Sequence, residues 1–336
     1  LFIERHHAPW LRGAIILARV TATRKELGAS FLDLGTSSGY IEHGKMNQPL
    51  DGESLLVQVL NDAHRKKSAR VSSNICLGGK YFDLFPVMST SSISRKIKSK
   101  KKRGLIKQFI DENIPNGIGV HIRESFDVSD LLCMKEVTLA QLQKWKNVEE
   151  RISKSRSPSI LMPSLGALGH AMEKYPNANV YEGRYGSLFK DFDVDFEINR
   201  ALERKISLDS GAYLFFDETE ALTSIDIDIG SSSKPRSETT SLVADLAEEI
   251  LWQLRLREIG GIILIDFPRF KNFKIRDNFL ENLQSFALNE EVPLVIHGWT
   301  RTGLLEITKP REGVSLNDVL VGTVEDNTPA LETVAL

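Results

Sequence analysis

Leu222-Thr-Ser-Ile-Asp-Ile-Asp-Ile-Gly230 is an apolar run that carries two carboxylates, and a second such run, Gly260-Gly-Ile-Ile-Leu-Ile-Asp-Phe267, follows it. Both runs are typical of strands buried in a core, yet they contain Asp226, Asp228 and Asp266. Burying an ionised carboxylate costs several kcal/mol unless a cation pairs with it. A divalent metal shared by the three acids is the simplest such cation, so the two runs predict a metal site.

The spacing of the acids predicts where they lie in a sheet. Successive side chains of a strand point to opposite faces, so Asp226 and Asp228 share one face and the isoleucines between them take the other. A helix predicted over residues 238–258 joins the two strands, and Asp266 ends the second strand, where α/β sheets bind ligands. Two or three hard oxygen ligands at neighbouring strand ends favour Mg²⁺ or Mn²⁺.

The composition bounds the class of protein. The chain has 336 residues, 41% hydrophobic and 26% charged, which predicts a globular protein of two or three units. A net charge of −2 restricts nucleic-acid binding to local patches. Cys76 and Cys133 have no paired spacing, which argues against a disulfide framework or a zinc site and favours the cytoplasm. No membrane span or signal peptide is predicted, and strand-like sequence directly after Leu1 leaves open whether further residues precede it.

The N-terminal part of the chain favours RNA or DNA binding. Residues 12–86 contain five short strand-like segments separated by turns, which predicts a small closed barrel, and the OB-fold is its common form. Aromatic residues on such a barrel often stack nucleobases, and Phe31 and Tyr40 are the candidates, although Phe31 fits the barrel core as well. The basic run over residues 95–103 favours either a solvated face or a surface that contacts phosphates. A metal site, a barrel and basic patches together favour nucleic-acid hydrolysis.

Longer motifs surround the acids. Asp217-Glu-Thr-Glu-Ala-Leu-Thr-Ser-Ile-Asp-Ile-Asp228 and Glu248-Glu-Ile-Leu-Trp-Gln-Leu-Arg-Leu-Arg-Glu-Ile-Gly260 are the most specific of them. Gly28-Ala-Ser-Phe-Leu-Asp33 in the barrel and Ile93-Ser-Arg-Lys-Ile97 after it add to the pattern. Together these motifs resemble the catalytic core of ribonucleases E and G, and the resemblance extends over roughly residues 10–310.

The resemblance implies an α+β multidomain fold. Its expected parts are a remnant strand of an RNase H-like part (1–11), an OB-type five-stranded barrel that binds RNA (12–86), a 5′-sensor-like region (87–156), an RNase H-like part (157–210), a DNase I-like catalytic α/β part (211–310) and a tail (311–336). It is compatible with a homodimer. A zinc-linked tetramer is not expected, because no Cys-Pro-x-Cys motif follows residue 310.

The resemblance also implies an activity and a set of site residues. The expected protein is an endoribonuclease that cuts single-stranded, A/U-rich RNA with Mg²⁺ and leaves 5′-phosphate and 3′-hydroxyl ends. Asp226 and Asp266 match the family's metal-binding aspartates, and Asp228 completes the expected catalytic set. Arg123 matches the arginine of a sensor for the RNA 5′-monophosphate. The residues expected to bind RNA are Phe31, Tyr40, Lys67, Arg70, Arg95 and Arg123.

Three positions depart from the family pattern. Asp228 stands where the family usually has Asn near the metal, and Pro293 stands where some members carry an active-site arginine. Glu124 replaces the threonine beside the sensor arginine, and because a carboxylate repels a phosphate, this change predicts impaired 5′-end sensing. These departures keep a second hypothesis open, which is an RNA-binding protein of the same family with a degenerate active site.

Overall fold

The computed structural model describes residues 2–4, 10–43, 48–63, 67–175, 177–183, 187–230, 236–268, 273–289, 293–311, 313–320 and 333–335. Within these residues the chain divides into two compact units. The first is Trp10–Leu165, here called the barrel unit. The second joins Leu1–Pro9 to Gly166–Leu336 and is called the acid-sheet unit.

The bounds of the regular elements follow in chain order. The strands are β1 Phe2–Glu4, β2 Ile15–Arg24, β3 Ala29–Asp33, β4 Ser38–Glu42, β5 Ser54–Asn61, β6 Ala69–Ser72, β7 Phe82–Phe85, β8 Ser92–Ile93, β9 Gly119–Ile122, β10 Ser159–Met162, β11 Lys205–Ser207, β12 Tyr213–Glu218, β13 Leu222–Asp228, β14 Gly261–Asp266, β15 Val295–Trp299, β16 Leu305–Lys309 and β17 Thr333–Ala335. The helices are α1 Lys100–Asn113, α2 Leu131–Ile152, α3 Gly166–Lys174, α4 Ser187–Asp191, α5 Val194–Leu202, α6 Arg236–Leu256, α7 Phe273–Asn289 and α8 Leu316–Leu320. None of these described helices combines the length and apolarity needed to cross a membrane.

The barrel unit contains a closed five-stranded barrel, as the strand spacing predicted. The strands follow the order β2-β3-β4-β6-β5, and β5 pairs back onto β2. Alternate residues of each strand point inward, so Leu32, Ile41 and Val57 are buried in the barrel core. On the opposite side, β2 packs Ile15 and Leu17 into a neighbouring core, whereas β3, β4 and β6 carry half-buried and exposed residues that are accessible to a ligand.

The rest of the barrel unit is a small sheet covered by two helices. β9 lies between β7 and β8, and α1 and α2 bury aromatic residues against this sheet, among them Phe82, Phe109 and Trp145. The basic run over residues 95–103 contains the start of α1, because the side chain of Ser99 caps the helix by accepting a hydrogen bond from the backbone N–H of Lys102. A run predicted as a solvated face or a phosphate-binding surface therefore leads into a helix.

The acid-sheet unit has one mixed sheet with helices on one face. Its order is β11-β12-β13-β14-β16-β15, and the only parallel pair among these strands is β13 with β14. α6 connects that pair and packs with α7 against one face, where Leu246, Ile250 and Phe279 are fully buried with the alternate residues of the strands. The other face carries the remaining half of each strand's side chains and is called the open face.

The open face corrects the premise that the acids are buried. Asp226, Asp228 and Asp266 are all exposed, whereas their neighbours Ile225, Ile227 and Ile265 are buried. The reason is that α6 and α7 cover one face of the sheet only. The apolar side chains of each strand pack against these helices, and the alternating acidic side chains stay in water. Burial therefore does not require a metal here, and the case for one rests on the geometry of the acids.

Two short strands near the ends of the chain pair with each other in the acid-sheet unit. β1 pairs antiparallel with β17, which lies in the segment predicted as a tail. α8 lies in the same segment, and its Leu316 is buried beside Ile3 and Leu256. Residues 321–332 of that segment lie outside the described residues. A pairing between residues more than 300 positions apart leaves no local periodicity, which is why the sequence pattern did not show it.

Candidate active site

Two acids meet at adjacent strand ends of the open face. In the parallel pair β13 and β14, Asp226 stands in direct register with Asp266. Neighbouring strands are about 4.8 Å apart, so the two carboxylates leave the same face side by side. Asp266 is the last residue of β14, which places the pair at the C-terminal edge of the parallel strands, where sheets of this kind bind ligands.

Asp228 lies apart from this pair. It follows Asp226 by one full pleat and lies beyond the last residue of β13 that pairs with β14. Its Oδ1 accepts a hydrogen bond of 2.8 Å from the backbone N–H of Gly230, which ties the carboxylate to the turn after the strand. Among the described residues no three His, Cys, Asp or Glu side chains converge as a metal site. The structure thus brings together two of the three predicted acids.

The chemistry of the pair suits a hard divalent cation. Two exposed aspartates supply oxygen ligands on one side and leave the other side to water. Mg²⁺ is commonly bound in this way, through one or two carboxylates with the remaining positions filled by water and substrate phosphate. Asp226 and Asp266 therefore fit Mg²⁺ or Mn²⁺ without a third protein ligand.

A basic side chain stands next to the acids. Arg204 donates to both carboxylate oxygens of Asp217, with Nε–Oδ1 at 2.5 Å and Nη2–Oδ2 at 2.8 Å. Hydrogen bonding to Asp217 is the main reason that the pKa of Arg204 is raised, and the charge of Asp226 acts in the same direction. The pKa of Asp217 is correspondingly lowered, first by its hydrogen bond to Arg204. Arg204 thus interacts electrostatically with Asp226 as well as with its partner Asp217.

The predicted sensor arginine in the barrel unit already has a carboxylate partner. Arg123 follows β9 and donates from Nε to Asp83 Oδ2 at 3.0 Å and from Nη2 to Asp83 Oδ1 at 2.7 Å. This is the bidentate geometry with which a guanidinium also grips a phosphate. The Asp83 side chain is only 12% exposed, so its ion pair with Arg123 is held by the fold and differs from a solvent-exposed surface pair. Glu124, next to Arg123, pairs with Lys96 at 3.2 Å.

The pair also acts on a neighbouring thiol. The pKa of Cys76 is raised to about 11, first by burial and then by the negative charge of Asp83, while the charge of Arg123 opposes the shift. Sequence reasoning missed Asp83, although the signal was present. It is an acid inside the apolar run Tyr81-Phe-Asp-Leu-Phe85, which is the same kind of signal that drew attention to Asp226 and Asp266.

The barrel brings three of the predicted RNA-binding residues into one row. Phe31 of β3 is in register with Tyr40 of β4, and Tyr40 is in register with Arg70 of β6. Phe31 and Tyr40 are half-buried and Arg70 is exposed, and none of the three belongs to the barrel core. Arg70 lies 3.5 Å from the carboxylate of Glu42 in an exposed pair. Lys67 and Arg95 are exposed at other places in the barrel unit.

Comparison with known proteins places these features in one family. The model of the Ribonuclease E/G family matches residues 76–183 and 167–312. Ribonuclease G of Escherichia coli (strain K12) is 27% identical over an alignment 383 residues long, gaps included. The alignment covers 95% of this chain and 77% of that protein. Ribonuclease G of Haemophilus influenzae is 23% identical, with 95% and 76% covered. Ribonuclease E of Nostoc sp. is 24% identical, with 81% and 45% covered. The chain belongs to the ribonuclease E/G family.

Proposed function

We propose that this chain is a divalent-metal-dependent endoribonuclease that cuts single-stranded, A/U-rich RNA in the cytoplasm and leaves 5′-phosphate and 3′-hydroxyl ends. The observation that carries the proposal is the direct register of Asp226 and Asp266 at exposed ends of parallel strands. Membership of a family whose relatives are ribonucleases supports the reaction class. The dependence on a divalent metal and the preference for A/U-rich RNA go beyond that family membership and are our proposals.

The acids and the nearby cation divide the work. Asp226 and Asp266 would hold Mg²⁺ or Mn²⁺, which supplies polarisation of a phosphoryl oxygen and a bound water of lowered pKa. Because both carboxylates are exposed, the phosphodiester can reach the open side of the site. Arg204 would add only a weak attraction for the RNA backbone, because the carboxylate of Asp217 offsets most of its charge. The row of Phe31, Tyr40 and Arg70 offers two rings for bases and a cation for a phosphate.

Cleavage should depend on a divalent cation. We expect the full chain to cut an A/U-rich single-stranded RNA in Mg²⁺ and to stop when EDTA is added. The reason is that polarisation of the phosphate and activation of a water require the ion, and the two carboxylates alone supply neither. Gel analysis of end-labelled RNA measures this. The binding-only hypothesis predicts RNA binding with no cutting under any divalent cation, and that outcome would remove the enzyme proposal.

The 5′ end of the substrate should have little influence. A phosphate that entered the sensor would have to displace Asp83 from Arg123 and approach Glu124, and both carboxylates repel it. We therefore expect cleavage rates on 5′-phosphate and 5′-hydroxyl RNA to agree within about twofold. Parallel initial rates on two otherwise identical substrates test this. A strong 5′-phosphate preference that disappears in Arg123→Ala would show that the sensor works despite the two acids.

A further inference from the structure

The open face of the acid sheet has a second group of side chains beside the acids. The register runs straight across four strands, from Lys205 of β11 through Phe215 of β12 and Asp226 of β13 to Asp266 of β14. One pleat away, Tyr213 of β12 stands in register with Asp228. Cross-strand partners share a face of the sheet. On the open face, basic, aromatic and acidic side chains therefore lie next to each other on successive strands.

The two rings do not serve the core. Leu214 and Phe216, which alternate with them along β12, fill the core under α6 and α7, whereas Tyr213 and Phe215 are half-buried on the opposite side. Both rings are therefore partly exposed to water on the face that carries the acid pair. A ligand that covers this face would bury them.

Two cations lie over these rings. Lys205 Nζ is 3.6 Å from the centre of the Tyr213 ring and 5.6 Å from that of Phe215. Arg204 Cζ is 5.5 Å from the centre of Phe215. The cluster thus joins aromatic faces to positive charge, which is the combination that binds single-stranded nucleic acid, since bases stack on rings and phosphates meet cations.

We propose that Phe215 stacks a nucleobase adjacent to the cleaved bond and that Lys205, which lies on the Tyr213 ring, holds the next phosphate. This inference rests on the proposed function, because it assumes that the RNA is cut beside Asp226 and Asp266. With strands about 4.8 Å apart, Phe215 stands one strand spacing from Asp226 and Lys205 stands two. RNA that passes the acids across the sheet therefore meets a ring first and a cation second. Phe215 acts as a positioning residue for the reaction, and Tyr213 supports the side chain of Lys205.

The test is RNA binding in the full chain carrying Asp266→Asn, which prevents cutting during the measurement. Adding Phe215→Leu keeps an apolar side chain but removes the stacking face, and we expect binding of an A/U-rich single strand to weaken about tenfold. Phe196→Leu is the matched control, since Phe196 is a 64% exposed phenylalanine on α5, outside the sheet. It should leave binding unchanged.

A cycle with modified RNA separates stacking from a structural effect. In a series of RNAs that each carry one abasic nucleotide at a different position, one RNA should bind the Asp266→Asn parent about tenfold more weakly than the intact RNA. Adding Phe215→Leu should not weaken the binding of that RNA any further. Additive losses at every position, or an effect of Phe215→Leu no larger than that of Phe196→Leu, would overturn the inference while leaving the proposed function intact. Failure of the parent to bind RNA at all would overturn both.

Lys205→Gln gives an independent measurement, because it removes the charge assigned to the phosphate and leaves the Phe215 ring in place. The loss of one phosphate contact should lower the slope of log affinity against log salt concentration by about 0.7 for a single strand. Lys190→Gln, on α4 and outside the sheet, is the control and should leave the slope unchanged. An unchanged slope in Lys205→Gln would contradict the assignment of this lysine to a phosphate.

Discussion

Asp266→Asn is expected to lower the rate of RNA cleavage by at least about 1,000-fold, because it removes one of the two anionic ligands that we propose for the metal. Asparagine has nearly the same shape and can stay in register with Asp226, so the loss reports charge and not a change in fold. The measurement is the initial rate on A/U-rich single-stranded RNA in saturating Mg²⁺. RNA binding and the melting temperature should stay close to those of the unmodified chain.

Two companion variants make this result specific. Asp226→Asn should be as inactive as Asp266→Asn, since the two acids are register partners. Asp228→Asn is the matched control, because it makes the same change on the same face and strand, and we expect it to retain activity within about fivefold. Its carboxylate is engaged by the Gly230 N–H and stands a pleat away from the pair. An inactive Asp228→Asn beside an active Asp266→Asn would mean that the acids have been assigned to the wrong roles.

Arg257→Ala is expected to destabilise the acid-sheet unit by about 3 kcal/mol, because a buried guanidinium leaves several groups without partners when it is removed. Arg257 is 5% exposed and lies at the C-terminal end of α6. It donates to Gln253 Oε1 and to the Glu203 carbonyl, both at 2.8 Å, and its guanidinium carbon lies 4.2 Å from the centre of the Phe216 ring. Burial lowers its pKa to about 10, so the side chain is still charged at neutral pH.

Hydrogen exchange followed by mass spectrometry measures this loss locally. A loss of about 3 kcal/mol corresponds to roughly 100-fold faster exchange of α6 amides, provided that they exchange through opening of the unit. Arg255→Ala, two residues earlier, is the control, since Arg255 is only partly buried and contacts the ring of Trp252. It should cost less than about 1 kcal/mol. Equal protection in the two variants would show that Arg257 is not an anchor of α6.

The acid pair was the part of the site that sequence reasoning could reach. Strand alternation correctly put Asp226 and Asp228 on one face, and Asp266 is the last residue of its strand, as predicted. The premise of buried acids was wrong, because an apolar run alone does not tell a strand covered on two faces from one covered on a single face. Only the positions of α6 and α7 decide that question.

The other parts of the site depend on pairings that sequence does not encode locally. Asp83 and Arg123 are 40 residues apart, and their contact exists because β7 and β9 are neighbours in a sheet. Phe215 belongs to a run whose alternation fits a core strand equally well, so its place beside Asp226 follows from the register of β12 with β13. Residue types predicted which chemistry is present, whereas strand order determined which groups can act together.

A change of metal preference tests the claim that Asp266 is a metal ligand most directly. A cysteine thiolate is a softer ligand than a carboxylate, so Asp266→Cys should fail to cut RNA in Mg²⁺ and regain on the order of a tenth of the unmodified rate in Mn²⁺. The unmodified chain and Asp228→Cys, measured in the same two ions, should show no such switch. Equal rates of Asp266→Cys in Mg²⁺ and Mn²⁺, at the level of the unmodified chain, would contradict the account.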